Sequence, residues 1–319
     1  MADEAAQCIF CRIIAGEMES RKVYEDERAF ACLDIRPGVK GHTLLMPKEH
    51  YPILPTLPQK EFEHLFGLLP TLLSALGGAL GKTGANVFIA NGAAAGQQSP
   101  HFLMHLLPRE PMDSLNLYAL RGEGALREHD ELLPVLRQKL GKPGASSAAR
   151  PPHLSNVDGE TLFSEGGVVC VSPARPLVPG HLVLYPAEHA AFASLPKESS
   201  SNLFRAGTTL ASLIFQLRSA QGTNLILKTG NADDNPGGFT ALHVIPRTAD
   251  DGLRLQWEPR EMDLTPIAQQ VSAMMPVREE KKVLKTITFR EPMRIGGAPA
   301  PVTAREEIAA AIRNVQSVY

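Results

Sequence analysis

The sequence of 319 residues has few cysteines, little net charge and no long apolar run. Four cysteines are too few for a disulfide framework in a chain of this length, and they suit a reducing compartment. The formal net charge of -2 gives no reason to expect general affinity for nucleic acids or membrane surfaces. No apolar run of about 18 residues is present, and the acidic N-terminal segment lacks the apolar core of a signal peptide. We therefore expect a cytoplasmic protein with no membrane partner.

One internal repeat is visible in the sequence. Residues 36–42 return at 175–181, residues 47–50 at 186–189 and residues 105–109 at 243–247, with an offset of 138 or 139. The length also favours two domains. The repeat predicts two copies of one domain, at residues 1–140 and 154–276. A linker rich in glycine, proline and alanine joins them at 141–153, and residues 277–319 form a C-terminal extension with a predicted strand at 284–289 and helix at 308–315.

A short strand pattern in the first copy carries the candidate chemistry. His101, Leu103 and His105 occupy alternate positions just before Pro108-Arg109. This period of two predicts a strand with the three residues on one face. The preceding loop at 91–97 consists mainly of small residues, which allow a ligand to approach the backbone closely.

The loop and the strand together resemble the histidine triad (HIT) family, whose signature is Gly-Gln followed by His-x-His-x-His. The resemblance implies that the middle position carries the nucleophile that attacks the α-phosphate of a nucleotide. Leu103 occupies that position in the first copy, and Ala241 occupies it in the second. Neither side chain has a lone pair, so neither can act as a nucleophile or as a base.

Three functions are compatible with this substitution. The favoured one is a nucleotide-binding or regulatory pseudoenzyme. The second is a HIT-type phosphohydrolase or nucleotidyltransferase that uses a non-standard catalytic residue, for which His105 is the candidate. The third is a protein-interaction module with a vestigial pocket, in which residues 277–319 contact a protein partner.

The resemblance also implies which residues would bind a nucleotide. Asp34 matches the carboxylate that holds the ribose hydroxyls, and the other candidates are Asn91, Gly96, Gln97 and His105. We expect weak binding of a purine nucleoside monophosphate or a related nucleotide. The second copy has Pro173 for Asp34 and Thr229 for Asn91. We therefore expect one nucleotide per chain and a structural role for the second copy.

A structural zinc site is the remaining candidate. Cys8 and Cys11 form a Cys-x-x-Cys pair, which is half of a typical zinc site. The family resemblance adds His50 and His101, because some members bind zinc through two such cysteines, a histidine after Pro-Lys-x and the first triad histidine. The alternative is two buried thiols and two unrelated histidines.

The fold class implied by the resemblance is α+β. We expect two antiparallel sheets of about five strands, each backed by a long helix and related by a pseudo-twofold axis, so that one chain forms its own pseudo-dimer. Apolar spacing predicts a helix at 59–80 that Pro70 kinks or splits, and another at about 125–140. Strands are predicted at 23–30, 41–46 and 86–90.

Overall fold

The structure is a computed structural model, and it describes residues 7–115, 124–140, 150–235 and 237–276. Most of the linker and the whole C-terminal extension lie outside the described residues. The strand expected at 284–289 and the helix expected at 308–315 therefore remain predictions, as does a protein partner for the extension. Below, residues 7–140 are called the first half and residues 150–276 the second half.

Ten strands and five helices make up the described part of the chain. The strands of the first half are β1 Lys22–Glu25, β2 Ala29–Leu33, β3 Thr43–Pro47, β4 Gly84–Asn91 and β5 Met104–Arg109. Those of the second half are β6 Glu160–Glu165, β7 Val168–Ser172, β8 Leu182–Pro186, β9 Gly222–Gly230 and β10 Ala241–Arg247. The helices are α1 Ile9–Ile14, α2 Gln59–Leu80, α3 Gly124–Leu140, α4 Lys197–Arg218 and α5 Leu264–Ser272.

All ten strands belong to one antiparallel sheet, in the order β1-β2-β3-β5-β4-β9-β10-β8-β7-β6. The expectation of two separate sheets is wrong, because the strands of both halves form a single sheet. Strands β4 and β9 pair along their length, from Gly84 opposite Gly230 to Asn91 opposite Thr223. Without this pairing each half would expose a row of unpaired backbone N–H and C=O groups at the edge of its sheet. The order of the strands is the same on the two sides of this central pair.

Long helices cover one face of the sheet. Helices α2 and α4 pack against each other and against the sheet, and Phe66 lies 4.6 Å from Phe204 between ring centroids. The split expected at Pro70 is wrong, because α2 is continuous from Gln59 to Leu80. The alternative, a kink, stays a prediction. The apolar face of α2 is buried between Leu65 and Ala79, and this packing outweighs one missing backbone hydrogen bond. By length and composition α2 could cross a membrane, a test that a buried core helix also passes.

Two predicted strand boundaries need correction. The single strand expected at 23–30 is two strands, because the Asp26 side chain accepts the backbone N–H groups of Arg28 and Ala29 and closes a turn. The strand expected from His101 onward begins at Met104. His101 and Leu103 therefore precede β5 rather than lie within it.

A buried arginine unit occurs once in each half with the same bonds. The Arg109 guanidinium donates to Asp113 and to the Leu115 carbonyl, and Arg247 donates in the same way to Asp251 and the Leu253 carbonyl. Each pair ties the end of a sheet strand to the turn that follows it. The repeat in the sequence is therefore matched by a repeat in hydrogen bonding.

Candidate functional site

Three polar side chains of the first half meet on the face of the sheet opposite the long helices. The Asp34 carboxylate follows β2 and lies 3.6 Å from His42 Nδ1 and 3.9 Å from His105 Nδ1. His42 Nε2 and His105 Nδ1 are 3.0 Å apart, which is a hydrogen bond, whereas the carboxylate distances are too long for one. Burial raises the pKa of Asp34, and it lowers the pKa of His105 to about 3. Both histidines are therefore neutral at pH 7.

The hydrogen bonds assign the tautomers of this pair. The backbone N–H of Gly38 donates to His42 Nδ1 at 3.2 Å, so that nitrogen carries a lone pair and Nε2 carries the proton. His42 Nε2 then donates to His105 Nδ1, which leaves the proton of His105 on Nε2. In this tautomer His105 Nε2 is a hydrogen-bond donor. It can hold a phosphate oxygen but cannot attack a phosphorus atom.

The second half contains the same chain of bonds. The Leu177 N–H donates to His181 Nδ1 at 3.1 Å, and His181 Nε2 lies 3.0 Å from His243 Nδ1. This half has no aspartate at the position of Asp34 and no triad residue other than His243. The pair persists where nothing else of the site does, so its common role in both halves is structural.

Trp257 of the second half covers the histidine pair of the first half. Its ring lies 4.9 Å from the His42 ring and 4.9 Å from the His105 ring, in edge-to-face geometry with both. Gly38 passes directly under the indole, where an added Cβ would lie 2.6 Å from the ring. The Arg260 N–H donates to the Pro37 carbonyl at 2.8 Å and holds this segment in place. The two halves thus build one site between them.

Leu103 lies in an apolar cluster. It packs with partly buried residues of α1 against a buried group from β2 and β3, which consists of Phe30, Cys32, Leu44 and Met46. Its isobutyl group therefore contacts an apolar surface. The position that carries the nucleophile in the family signature is therefore a packing position here.

The loop residues have uses of their own. The Asn91 side chain accepts the Leu54 N–H at 3.1 Å, and Thr229 accepts the Phe192 N–H in the corresponding place of the second half. The Gln97 amide accepts the Gly92 N–H and donates to the Pro52 and Ser99 carbonyls. Both side chains shape the loop, so any contact they make with a nucleotide comes in addition to these bonds.

The four zinc candidates come together next to the segment that precedes β5, where His101 lies. The ligand atoms of Cys8, Cys11, His50 and His101 all lie within 4.8 Å of one another. The S···N distances are 3.5 Å for Cys8–His101, 3.3 Å for Cys11–His50 and 3.6 Å for Cys11–His101. A tetrahedral zinc with ordinary Zn–S and Zn–N bonds requires an S···N edge of about 3.6 Å. The donor set and its spacing therefore fit a closed zinc site.

The protonation of the cluster also suits a metal. His101 Nε2 lies 3.0 Å from the Pro47 carbonyl and donates to it, which leaves the Nδ1 lone pair directed at the cysteines. Burial lowers the pKa of His101 to about 4, so the ring is neutral. Burial and the neighbouring Cys8 raise the pKa of the Cys11 thiol to about 11. Only a bound cation would make that thiol a thiolate at pH 7.

Sequence reasoning missed two residues of the site. His42 stands in a Gly-His pair that recurs as His181, a signal that could have marked both residues. Trp257 carried no such signal, because the contact depends on how the second half crosses the first. His101 and His105 were expected on one face of a strand, but they belong to different clusters.

Several known proteins are similar to this chain. The family model of the HIT domain matches residues 15–112. Adenylylsulfatase HINT3 of Arabidopsis thaliana is 39% identical over 139 residues, which are 42% of this chain and 69% of that protein. Protein hit of Bacillus subtilis is 41% identical over 105 residues, 33% of this chain and 72% of that protein. A crystal structure of a zinc-bound histidine triad family protein from Mycobacterium smegmatis is 32% identical, covers 35% of this chain and 81% of that one, and has a TM-score of 0.33.

The chain belongs to the histidine triad family. The matched segment contains Asp34, His42, the loop before β5 and the triad strand itself. It has an α+β fold with an antiparallel sheet.

Proposed function

We propose that this protein is a tandem histidine triad protein that binds a nucleotide without hydrolysing it. The first half carries the binding site, and the second half is a degenerate copy that supplies Trp257 and completes the sheet. The support for a tandem is the repeated order of strands on both sides of β4 and β9, together with the repeated arginine units. A reducing compartment such as the cytoplasm is part of the proposal, because all four cysteines are free thiols.

The observation that carries the loss of activity is Leu103. A nucleotidyl transfer through histidine needs a nitrogen lone pair at the reacting position, and an isobutyl group has none. The nearest substitute is His105, whose outward nitrogen carries a proton in the tautomer assigned from the hydrogen bonds. Phosphohydrolase or transferase activity through His105 would require that chain of bonds to reverse, with the Gly38 N–H losing its acceptor.

The remaining groups suit weak nucleoside binding. Asp34 has one oxygen bonded to the Arg36 N–H at 2.8 Å and a second oxygen available for a ribose hydroxyl. His105 offers one N–H to a phosphate. Each such bond contributes about 1 kcal/mol net, somewhat more when one partner is charged. A handful of them gives binding in the micromolar to millimolar range.

Two measurements test this proposal together. Turnover is assayed with a nucleoside phosphoramidate, a dinucleoside polyphosphate and adenylyl sulfate, the last because of the name of the Arabidopsis relative. We expect no release above the buffer rate. Binding of the common nucleoside monophosphates is followed by calorimetry and by the emission of Trp257, which is the one tryptophan in the sequence.

We expect one site per chain and at least tenfold weaker binding in Asp34→Ala, with Asp158→Ala in the second half as the control. Turnover that disappears in His105→Ala would replace the proposal with an active HIT enzyme. Absence of heat and of any emission change, or equal affinity in Asp34→Ala, would leave the protein-interaction module as the function, with Trp257 filling a vestigial pocket.

A structural zinc is the second part of the proposal. Its support is the tetrahedral spacing of the two cysteines and two histidines and the tautomer that His101 adopts. With every position of a four-coordinate metal taken by protein, the site has no place for a substrate and would serve stability. Elemental analysis of the purified protein, and proteolysis of its N-terminal segment with and without a chelator, test it.

A further inference from the structure

A cavity of about 720 Å³ lies where the first half meets the end of the second. One wall is the loop Ala93–Gly96, and the other consists of Arg247 and residues Leu253–Gln256. We call it the arginine cavity. Asp34, His42 and His105 do not line it, and Gly96 is the one nucleotide candidate that does.

Two arginines line this cavity, and each has at least one guanidinium N–H group without an acceptor among the described residues. Arg254 is exposed and forms no hydrogen bond or ion pair with any residue that the structure describes. Arg247 is only 6% exposed, and its Nη1 group makes a single bond, to the Asn224 side chain at 2.7 Å. Its other nitrogens are used by Asp251 and the Leu253 carbonyl. Among the described residues, one N–H of Arg247 Nη1 thus has no hydrogen-bond partner, and Arg247 lines the cavity.

The counterpart of this cavity in the other half shows what such an N–H binds. There the loop Asn231–Asp234 takes the place of Ala93–Gly96. The Asp234 carboxylate accepts from Arg109 Nη1 at 3.2 Å, and Asp233 accepts the Met112 N–H at 2.8 Å. In the amide orientation that its neighbours favour, with oxygen and nitrogen exchanged, the Asn86 side-chain oxygen accepts from Arg109 Nη1 at 2.6 Å, the contact that matches Arg247 with Asn224. Each arginine is thus paired with the aspartate of its own turn, but a second carboxylate, that of Asp234, reaches Nη1 of Arg109 only. Among the described residues no carboxylate reaches Nη1 of Arg247.

We propose that the arginine cavity binds a small ligand that carries a carboxylate or phosphate group. The anion would bond to Arg247 Nη1 and pair with Arg254, as Asp234 does with Arg109 and Lys228 in the other half. Oxyanions and arginine match in geometry, and a buried guanidinium strengthens the pairing. The loop of alanines and glycine leaves the room that aspartate side chains fill on the other side.

The position of the cavity couples it to the Asp34 site through the chain segment that carries Trp257. The cavity wall includes Leu255 and Gln256, and the next residue is Trp257, which covers His42 and His105. An anion held by Arg254 would fix the segment that carries the indole. Binding in the cavity is therefore expected to change the emission of Trp257 even when no nucleotide is present.

The test uses inorganic phosphate and succinate as probes with the full-length protein. Each is titrated by calorimetry and by tryptophan emission at constant ionic strength, with chloride as the reference anion. We expect one site per chain for at least one probe and about tenfold weaker binding in Arg254→Ala. Arg175→Ala removes an exposed arginine outside the cavity and should bind like the wild type. Saturation by phosphate alone assigns a phosphoryl ligand, and saturation by succinate alone assigns a carboxylate.

A second pair of variants avoids any loss of arginine. Ala94→Asp places a carboxylate on the cavity wall and should abolish binding of both probes, whereas the neutral Ala94→Asn should retain it. Asp34→Ala should leave anion binding intact, which separates this site from the nucleotide site. No saturable binding of either probe, or equal affinity in Arg254→Ala and Arg175→Ala, would overturn the proposal.

Discussion

A single backbone N–H sets the chemistry of His105. The Gly38 N–H fixes the tautomer of His42, and His42 in turn fixes that of His105. A residue that looks catalytic from its position in the signature is thereby made a donor. Under the proposed function, the chain lacks a nitrogen lone pair directed at phosphorus, and a histidine at position 103 would restore it.

We expect Leu103→His to gain slow but measurable hydrolysis of a nucleoside phosphoramidate. An imidazole at position 103 would supply a neutral nucleophile beside the donor His105. Product release is measured under single-turnover conditions against Leu103→Asn, which is polar but cannot form the covalent intermediate. Equal rates for the two variants would show that more than the nucleophile has been lost.

The buried Asp234 is a costly charge to remove. It pairs with Lys228 at 2.8 Å and with Arg109 at 3.2 Å, and all three side chains are almost fully buried. Burial lowers the pKa of Lys228 to about 8, which indicates how poorly that charge is solvated. We expect Asp234→Asn to lower the free energy of unfolding by about 3–5 kcal/mol. Urea denaturation measures this, and the exposed neighbour Asp233→Asn should change it by less than about 1 kcal/mol.

At the scale of elements, the proposed zinc would hold α1 against the rest of the first half. The helix has six residues, none of them fully buried, and an isolated helix of this length is not stable in water. Cys8 and Cys11 connect it to His50 and His101 in the body of the first half. Removal of a bound zinc would therefore free the N-terminal segment before it disturbs the sheet.

We expect one zinc per chain by elemental analysis and faster proteolysis of residues 7–20 after a strong chelator is added. His50→Ala should lose the metal. His189→Ala changes the corresponding residue of the second half, which has no cysteine pair before it, and should keep the metal. Zinc content near zero in unchelated wild-type protein would exclude the site.

The junction between β4 and β9 tolerates little added volume. A Cβ on Gly84 would lie 2.9 Å from the Asn231 carbonyl and 3.0 Å from the Thr229 carbonyl, both of them backbone atoms that cannot move aside. We expect Gly84→Ala to cost about 1–3 kcal/mol of unfolding free energy. Gly67→Ala in α2 is the matched change, since its Cβ would meet only ordinary contacts from 3.5 Å outward. Gly67→Ala should be neutral or stabilising by up to about 1 kcal/mol. Thermal melts of the two variants and the wild type measure both effects.

Sequence patterns predicted what is local and missed what depends on long-range packing. Cys8 and Cys11 are found by spacing, and His50 follows from its register after Pro-Lys-Glu. Pro70 predicted a split that the buried face of α2 suppresses. The contact of Trp257 with His105 joins residues from opposite halves, and no local pattern encodes it. The family signature located Gln97 correctly in the loop but could not show that its amide is already engaged there.

At the scale of the whole molecule, both histidine pairs couple stability to pH. Burial lowers the pKa of His105 and of His181 to about 3 each, and it lowers those of His42 and His243 well below 6.5. The unfolded chain takes up these protons as the pH falls through about 6.5, whereas the folded chain does not. The free energy of unfolding therefore has its full value above pH 7. Below about pH 6.5 it declines by about 1.4 kcal/mol per pH unit for each ring that stays neutral in the folded chain.

We expect the urea midpoint to fall steadily between pH 7 and pH 5. His181→Gln removes one of these rings without touching the zinc candidates, so its midpoint should fall less steeply over the same range. A midpoint that stays constant across this interval would contradict the burial of the two pairs.

One covalent chain holds both halves of the sheet, and this has an evolutionary consequence. In a homodimer every substitution appears twice, so a change that helps one copy of a site is imposed on the other. In the proposed tandem, the loop that faces Arg109 carries Asp233 and Asp234, whereas the loop that faces Arg247 carries alanines and a glycine. Two covalently joined copies can differ in this way, and each can have a task that the identical subunits of a homodimer would have to share.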